Sequence, residues 1–263
     1  MQTPQSISLV VPVYNEIENL EKLCSKISAA MNQVKPSFWE AVLVNDGSRD
    51  GSGEWLVKYC ETNPNFRAVH FHTNQGQTAG FDAGFRAAKG DFIITMDADL
   101  QNDPADIPLL LAEMRDGIGA VCGVRVKRQD TWLRRISSRI ANNVRNRISG
   151  DNITDTGCSL KLFRAICFER MPMFEGMHRF LPTLVKMEGY SVFEVHVSHH
   201  ARYAGQSKYG VWNRIFRSFG DLIAVRWMKM RKLRYQPHDT PNPALSEANL
   251  HSKNSQHVGM SHT

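Results

Sequence analysis

Residues 91–101 read DFIITMDADLQ, and no other stretch narrows the possible folds as far. Phe92-Ile93-Ile94-Thr95-Met96 is short, apolar and rich in β-formers, and it stops at Asp97-Ala98-Asp99. Such a run marks a strand covered on both faces, as in a parallel sheet. Ligands of open α/β sheets bind beyond the carboxyl ends of strands, and the acidic pair falls at that end. Two carboxylates one residue apart, with the Gln101 amide two further on, form an all-oxygen set. That set suits Mg2+ or Mn2+ holding a diphosphate. The tripeptide is weak alone: with 14 Asp in 263 residues, a shuffled chain holds about 0.7 of them. Its context strengthens it, with a strand before, Asn102-Asp103-Pro104 after, and matching punctuation upstream.

The punctuation repeats along the chain. Residues 7–13 (ISLVVPV) form a first strand ending in Pro12-Val13-Tyr14-Asn15-Glu16, followed by an amphipathic helix with Leu20, Leu23, Ile27 and Met31 on one face. Residues 39–44 form a second strand, and Asn45-Asp46-Gly47-Ser48-Arg49-Asp50-Gly51-Ser52 is a dense turn. A carboxylate there suits either a nucleotide's base or ribose, or an Asx turn that caps the next helix. A third strand spans 67–71, and Asn74-Gln75-Gly76-Gln77-Thr78 opens a small-residue helix over 79–89. Gly80 and Gly84 allow close helix–sheet approach, and the helix N-terminus suits an anion. After the acidic pair, Pro104 sits at a first helical position and 118–124 form a fifth strand. This alternation predicts an α/β fold with a doubly wound, mostly parallel sheet. Shorter strands follow over 159–163 and 192–197, with a helix opening at 176–180.

Charge divides the chain. Residues 1–124 carry 9 basic and 16 acidic side chains, 125–147 carry 8 and 1, and 202–234 carry 9 and 1. An acidic first part followed by two basic segments implies an anionic partner, nucleic acid or a membrane surface. In the first basic segment Leu133, Ile136, Ile140, Val144 and Ile148 recur at helical spacing with arginines between them. The pattern suits a membrane-surface helix or one packed on the sheet with a solvated face. Residues 211–234 form a second amphipathic helix, with Trp212, Ile215, Phe216, Phe219, Leu222, Ile223, Trp227, Met230 and Leu233 on one side. Interleaved aliphatic stripes argue against nucleic acid. Residues 236–263 are polar and aperiodic, and are expected to be disordered. Cys24, Cys60, Cys122, Cys158 and Cys167 are odd in number and lack metal spacing, which suggests a reducing compartment and no zinc site. No signal peptide and no transmembrane helix are expected.

The motifs VVPVYNE (10–16), VNDGSRDGS (44–52), NQGQTAGFDAG (74–84), MDADLQNDP (96–104), GVR (123–125), DTGCSLKLFR (155–164), GMHRF (176–180) and RYAGQSKYG (202–210) stand in one order. In this the sequence resembles family 2 glycosyltransferases of the GT-A fold, and looks most like dolichyl- or polyprenyl-phosphate sugar synthases. The resemblance implies a metal-dependent, inverting glycosyltransferase domain over 1–210; the amphipathic pattern and the composition add a membrane-interface helix over 211–235 and a tail over 236–263. Pro12, Tyr14, Glu16, Val44, Asp46, Gln75, Asp97 and Ala98 would bind the nucleotide sugar. Asp97, Asp99 and Gln101 would hold Mg2+ or Mn2+. Asp99, Arg125 and Asp155 would serve catalysis, and His178, Arg179, Arg202 and Lys208 the acceptor and its phosphate. A UDP- or GDP-linked donor and a polyprenyl phosphate acceptor follow from the same resemblance; the two basic amphipathic helices point to peripheral attachment at the cytoplasmic face of a membrane, and a homo-oligomer is a further candidate partner. Many relatives carry two or more transmembrane helices after the last motif, where this chain has one amphipathic helix. Asn45 stands where many relatives have a second Asp.

A phosphate acceptor is already anionic and needs little general base. A soluble or glycan hydroxyl acceptor, the alternative, needs one, with Asp155 the candidate.

Overall fold

The computed structural model describes residues 6–125, 152–169, 171–201 and 211–233. The strands and helices in chain order are β1 (Ser6–Val13), α1 (Ile17–Val34), β2 (Phe38–Asn45), α2 (Ser52–Thr62), β3 (Phe66–His70), α3 (Gln77–Ala87) and β4 (Phe92–Thr95). A 3-10 turn (Pro104–Asp106) then leads into α4 (Ile107–Ala112), β5 (Ile118–Arg125) and β6 (Lys161–Arg164). The rest comprises 3-10 turns at Ala165–Phe168 and Met177–Arg179, α5 (Leu181–Met187), β7 (Ser191–Val197) and α6 (Val211–Arg231). The arginine-rich stretch expected to be helical over 133–148 and the motif at 202–210 lie outside the described residues.

The strands form one seven-stranded sheet in the order β3-β2-β1-β4-β6-β5-β7. All pairs are parallel except those of β6, which runs antiparallel between β4 and β5. The apolar runs look continuous in sequence because both faces of the sheet are buried. Ile7, Leu9, Val11, Ala41, Leu43, Ile94, Val121 and Leu162 enter one core with α1, α2 and α4. Their neighbours Val10, Val42, Val44, Ile93, Ala120, Cys122 and Phe163 enter the other with α3, α5 and α6. This alternation is the period-2 geometry of a strand serving two layers, so the doubly wound expectation holds. Gly84 sets how closely α3 can lie: a Cβ there would stand 2.1 Å from Val10 Cγ1.

Sheet order reverses at β1, whose neighbours are β2 on one side and β4 on the other. Ligands of such sheets bind at the carboxyl ends beside that reversal. The ends of β1, β2 and β4 are where Tyr14, Asp46 and Asp97 stand.

The apolar side of α6 is divided. Leu222 and Val225 are buried at 5% and 0% exposure in the core with α5, whereas Ile223, Trp227 and Met230 are 52%, 58% and 67% exposed. The exposed row lies about a third of a turn from the buried one at 100° per residue. No helix among the described residues is long and apolar enough to cross a membrane. All five cysteines are free.

Candidate active site

The strand-end loops are knitted together before any ligand enters. At the end of β1, Asn15 adopts φ 53°. Its N–H donates to Ser48 Oγ at 3.0 Å, and its Oδ1 accepts the Arg49 N–H at 2.7 Å. The Glu16 and Ile17 N–H groups donate to Ser52 Oγ and Asp50 Oδ2 at 3.1 and 3.0 Å. These bonds satisfy orphan donors at the start of α1, and they explain the serines and aspartates of the 44–52 motif. The Asx turn belongs to Asn45, whose Oδ1 accepts the Ser48 N–H at 3.1 Å.

Asp46 reaches the opposite way. Its carboxylate accepts the Gln75 N–H at 2.6 Å, the Gly76 N–H at 2.9 Å and Asn74 Nδ2 at 2.8 Å. It is 3% exposed. Burial raises its pKa against the lowering effect of the two backbone donors. Three of its roughly four lone-pair directions are taken, which leaves one on Oδ1. Pro12, Tyr14 and Glu16 are half-buried along the same edge. Val44 and Ala98 are core residues at 0% and 3% exposure, so what they present to the strand ends is backbone. Gln75 is exposed, its amide tied to Thr73 at 2.9 Å.

The acidic pair is joined to both sides. Gln77, first residue of α3, donates its amide to Asp97 Oδ1 at 2.7 Å. The Asp97 N–H donates to Ser159 Oγ at 3.0 Å, and that hydroxyl donates to Asn102 at 2.9 Å. Asp99, 6% exposed, accepts the Gln101 N–H at 3.1 Å. The Gln101 carbonyl accepts the His200 N–H at 2.9 Å. Burial first and the charge of Asp99 second push the Asp97 pKa up to about 6. Among the described residues no group of three or more His, Cys, Asp or Glu side chains forms a metal cage. Two carboxylates at a strand end are the share a protein supplies where substrate oxygens complete the shell of a hard divalent cation such as Mg2+ or Mn2+. Their mutual repulsion is a demand that a divalent cation meets, so Asp97 and Asp99 fit such an ion.

Across the site Arg125 ends β5 and clamps Asp155, Nε to Oδ2 at 2.7 Å and Nη2 to Oδ1 at 2.8 Å. The Arg125 N–H adds a bond to Oδ2 at 3.3 Å, and the Gly157 N–H one to Oδ1 at 3.1 Å. All four lone-pair directions of Asp155 are thereby occupied. Glu194 holds the segment from behind, accepting from the Thr154 N–H at 2.9 Å and its hydroxyl at 2.8 Å.

His178 and Arg179 lie on the 3-10 turn facing α3. His178 Nδ1 stands 2.8 Å from Thr78 Oγ1, which also accepts the Gly176 N–H at 3.0 Å. Gly176 has φ 89°, and a Cβ there would stand 2.6 Å from Asp221 Oδ2 on α6. Arg179 lies 3.9 Å from the same oxygen. Two residues expected on the acceptor side are thus seated between the start of α3 and α6. Arg202 and Lys208 lie outside the described residues.

Sequence reasoning passed over Gln77, Thr78, Asn102, Ser159 and Asp221. Gln77, Thr78, Asn102 and Ser159 carried a signal, since each lies inside a quoted motif.

The profile of glycosyl transferase family 2 matches residues 8–171, spanning every strand-end loop just described except those after β6. The chain belongs to this family. A dodecaprenyl-phosphate galacturonate synthase of Rhizobium johnstonii is 40% identical to this family 2 chain over 87% of its length and 68% of the relative's. An undecaprenyl-phosphate 4-deoxy-4-formamido-L-arabinose transferase of Edwardsiella ictaluri is 38% identical over 80% of this chain and 65% of its own. The chain therefore spans about two thirds of the length of these relatives. Among solved structures, the mannosyltransferase PcManGT of Pyrobaculum calidifontis, in complex with GDP-Man and Mn2+, superposes with a TM-score of 0.60 at 19% identity, covering 98% of this chain and 71% of that one. Glucosyl-3-phosphoglycerate synthase of Mycobacterium tuberculosis, with Mn2+, UDP and phosphoglyceric acid, gives 0.64 at 16% identity, covering 88% and 80%. At these identities the superpositions speak to the fold, which is that of the GT-A neighbours.

Proposed function

We propose that this chain transfers a glycosyl group from a UDP- or GDP-linked sugar to a polyprenyl phosphate, with inversion at the anomeric carbon. The relatives named for dodecaprenyl and undecaprenyl phosphate support the acceptor. The observation that carries the reading is the saturation of Asp155. A hydroxyl acceptor requires a base that takes its proton, and Asp155 has no lone pair to offer unless the Arg125 clamp opens. A phosphate oxygen attacks without that help.

A divalent cation held by Asp97 and Asp99, with Gln101 beside them, would supply Lewis-acid stabilisation of the leaving diphosphate. The chain's own groups do the rest. Pro12, Tyr14, Glu16 and Asp46 line the nucleotide edge. Gln77 and Ser159 hold Asp97 from two sides. Arg125 is aimed by Asp155, and a guanidinium held in this way suits phosphate oxygens. His178 and Arg179, with Arg202 and Lys208, position the acceptor phosphate. One bond forms between an acceptor phosphate oxygen and the anomeric carbon as the bond to the diphosphate breaks on the opposite side. Positioning and electrostatics dominate such a step.

The exposed row Ile223, Trp227 and Met230, with Arg226 and Lys229 among them, supports peripheral seating on an anionic membrane face, where the lipid acceptor resides. The test is transfer of label from a panel of UDP- and GDP-sugars into the organic phase with short polyprenyl phosphate, in Mn2+ or Mg2+ and in EDTA. Metal-dependent labelling of the lipid is expected. Donor hydrolysis without lipid labelling would overturn the acceptor.

A further inference from the structure

Lys161 is 3% exposed in the antiparallel strand β6. Among the described residues it has no carboxylate partner. Its ammonium donates to the carbonyls of Cys158 and Thr156, the latter at 3.5 Å. A buried ammonium without an ion pair is costly unless its protons are taken, so what it holds matters. Its register partner on β4, Thr95, donates its hydroxyl to the Ser159 carbonyl at 2.7 Å. The Leu160 carbonyl accepts the Gly123 N–H at 3.0 Å. Four carbonyls of one short segment, at 156, 158, 159 and 160, are thus drawn into the sheet. Two of the four belong to Lys161.

Other groups of the same segment serve the site. Ser159 Oγ receives the Asp97 N–H, Cys158 Sγ accepts from Asn102 Nδ2 at 3.4 Å, and Asp155 clamps Arg125. The metal side and the phosphate side are therefore borne on one strap, and Lys161 fastens its middle. The ammonium also opposes the burial and the Asp99 charge that act on Asp97.

We infer that Lys161 is a positioning residue: by locking the 155–160 segment through its carbonyls, it holds the acidic pair and the Arg125 clamp in one frame. The consequence for catalysis rests on the proposed transferase reading. The locking is a property of the folded chain and is measured without substrate.

The test is Lys161→Met, which keeps the volume and removes the donors, followed by amide hydrogen exchange and by titration of the substrate-free protein with Mn2+. Exchange at Asp97, Arg125 and Gly157 is expected to quicken at least tenfold while Leu9, Val10 and Leu43 keep their rates. Mn2+ binding is expected to weaken about tenfold. Removing a cation near two carboxylates would by charge alone tighten Mn2+ binding, so the sign separates positioning from a counter-charge role. In combination with Ser159→Ala the losses should be less than additive, since both act through one strap. Unchanged exchange at those amides, with Mn2+ binding equal or tighter, would overturn the inference. Should Lys161→Met fail to fold, Lys161→Gln, which keeps a donor for one carbonyl, carries the same comparison with smaller changes. If the wild-type protein binds no Mn2+ without a donor present, exchange alone decides the role of Lys161.

Discussion

Replacing Asp155 by Asn separates a clamp from a catalytic base. The Arg125 and Asp155 side chains are 15% and 9% exposed, and the carboxylate accepts four bonds, two of them from the guanidinium. Asparagine keeps one acceptor oxygen, loses the charge and turns an NH2 toward a guanidinium that can only donate. Removing one partner of a buried pair costs about 3–5 kcal/mol, and the retained oxygen recovers part of that, so a loss of about 2–3 kcal/mol is expected. For a chain of this size that lowers the midpoint by roughly 5–10 °C. In transfer assays the freed Arg125 should raise KM for acceptor and donor, and the pH profile of kcat should keep its shape. The variant is to be compared with wild type by thermal unfolding and by kcat and KM between pH 5 and 9. A kcat lowered by about 10³ with the acidic limb of the profile gone, KM unchanged and stability intact would refute the clamp and restore Asp155 as a base.

Asp97 gives a pH dependence of known sign. Its folded pKa of about 6 lies above the ordinary 3.8, so the metal-free folded chain holds the extra proton between those values. The stability this contributes is full below 3.8 and is lost as pH rises through about 6. Urea midpoints in EDTA should show that fall in wild type and not in Asp97→Asn, while Mn2+ affinity should climb through pH 6 and then level off. Arg67→Ala should destabilise by about 2 kcal/mol with kcat unchanged, because it strips two bonds from Glu40, a buried carboxylate that also accepts from Ser8 and the Lys89 N–H far from the strand ends; urea unfolding and the transfer assay measure both. Trp227→Glu should weaken binding to anionic vesicles at least tenfold, by co-sedimentation, and leave the unfolding free energy within about 1 kcal/mol, since the ring is 58% exposed.

The sheet was legible because its strands are covered on both faces: β1, β2 and β4 appear as mostly apolar runs, and turn residues mark their carboxyl ends. The acidic pair was legible for the same reason, as charge following such a run. The direction of β6 was not. It has four residues, too few for a pattern, and only its pairing with Phe92–Thr95 shows it to be antiparallel. Lys161 was invisible with it, since a lysine in a short strand looks solvated until both neighbouring strands are in place. Asp46 was left between a base contact and an Asx turn; its bonds to the 74–76 loop are not an Asx turn, and they depend on how β2 and β3 end side by side. The apolar side of α6 was visible as a stripe, but its split between Val225 and Trp227 depends on which face meets α5.

The central claim is that the acceptor is a phosphate. The most direct measurement offers the wild-type protein, with the donor that supports transfer, a short polyprenyl phosphate and the matching polyprenol at equal concentration in Mn2+, and follows labelled lipid in the organic phase. The account predicts label in the phosphate and none above background in the alcohol. Equal or faster labelling of the polyprenol would mean that a hydroxyl is the nucleophile, and would contradict it.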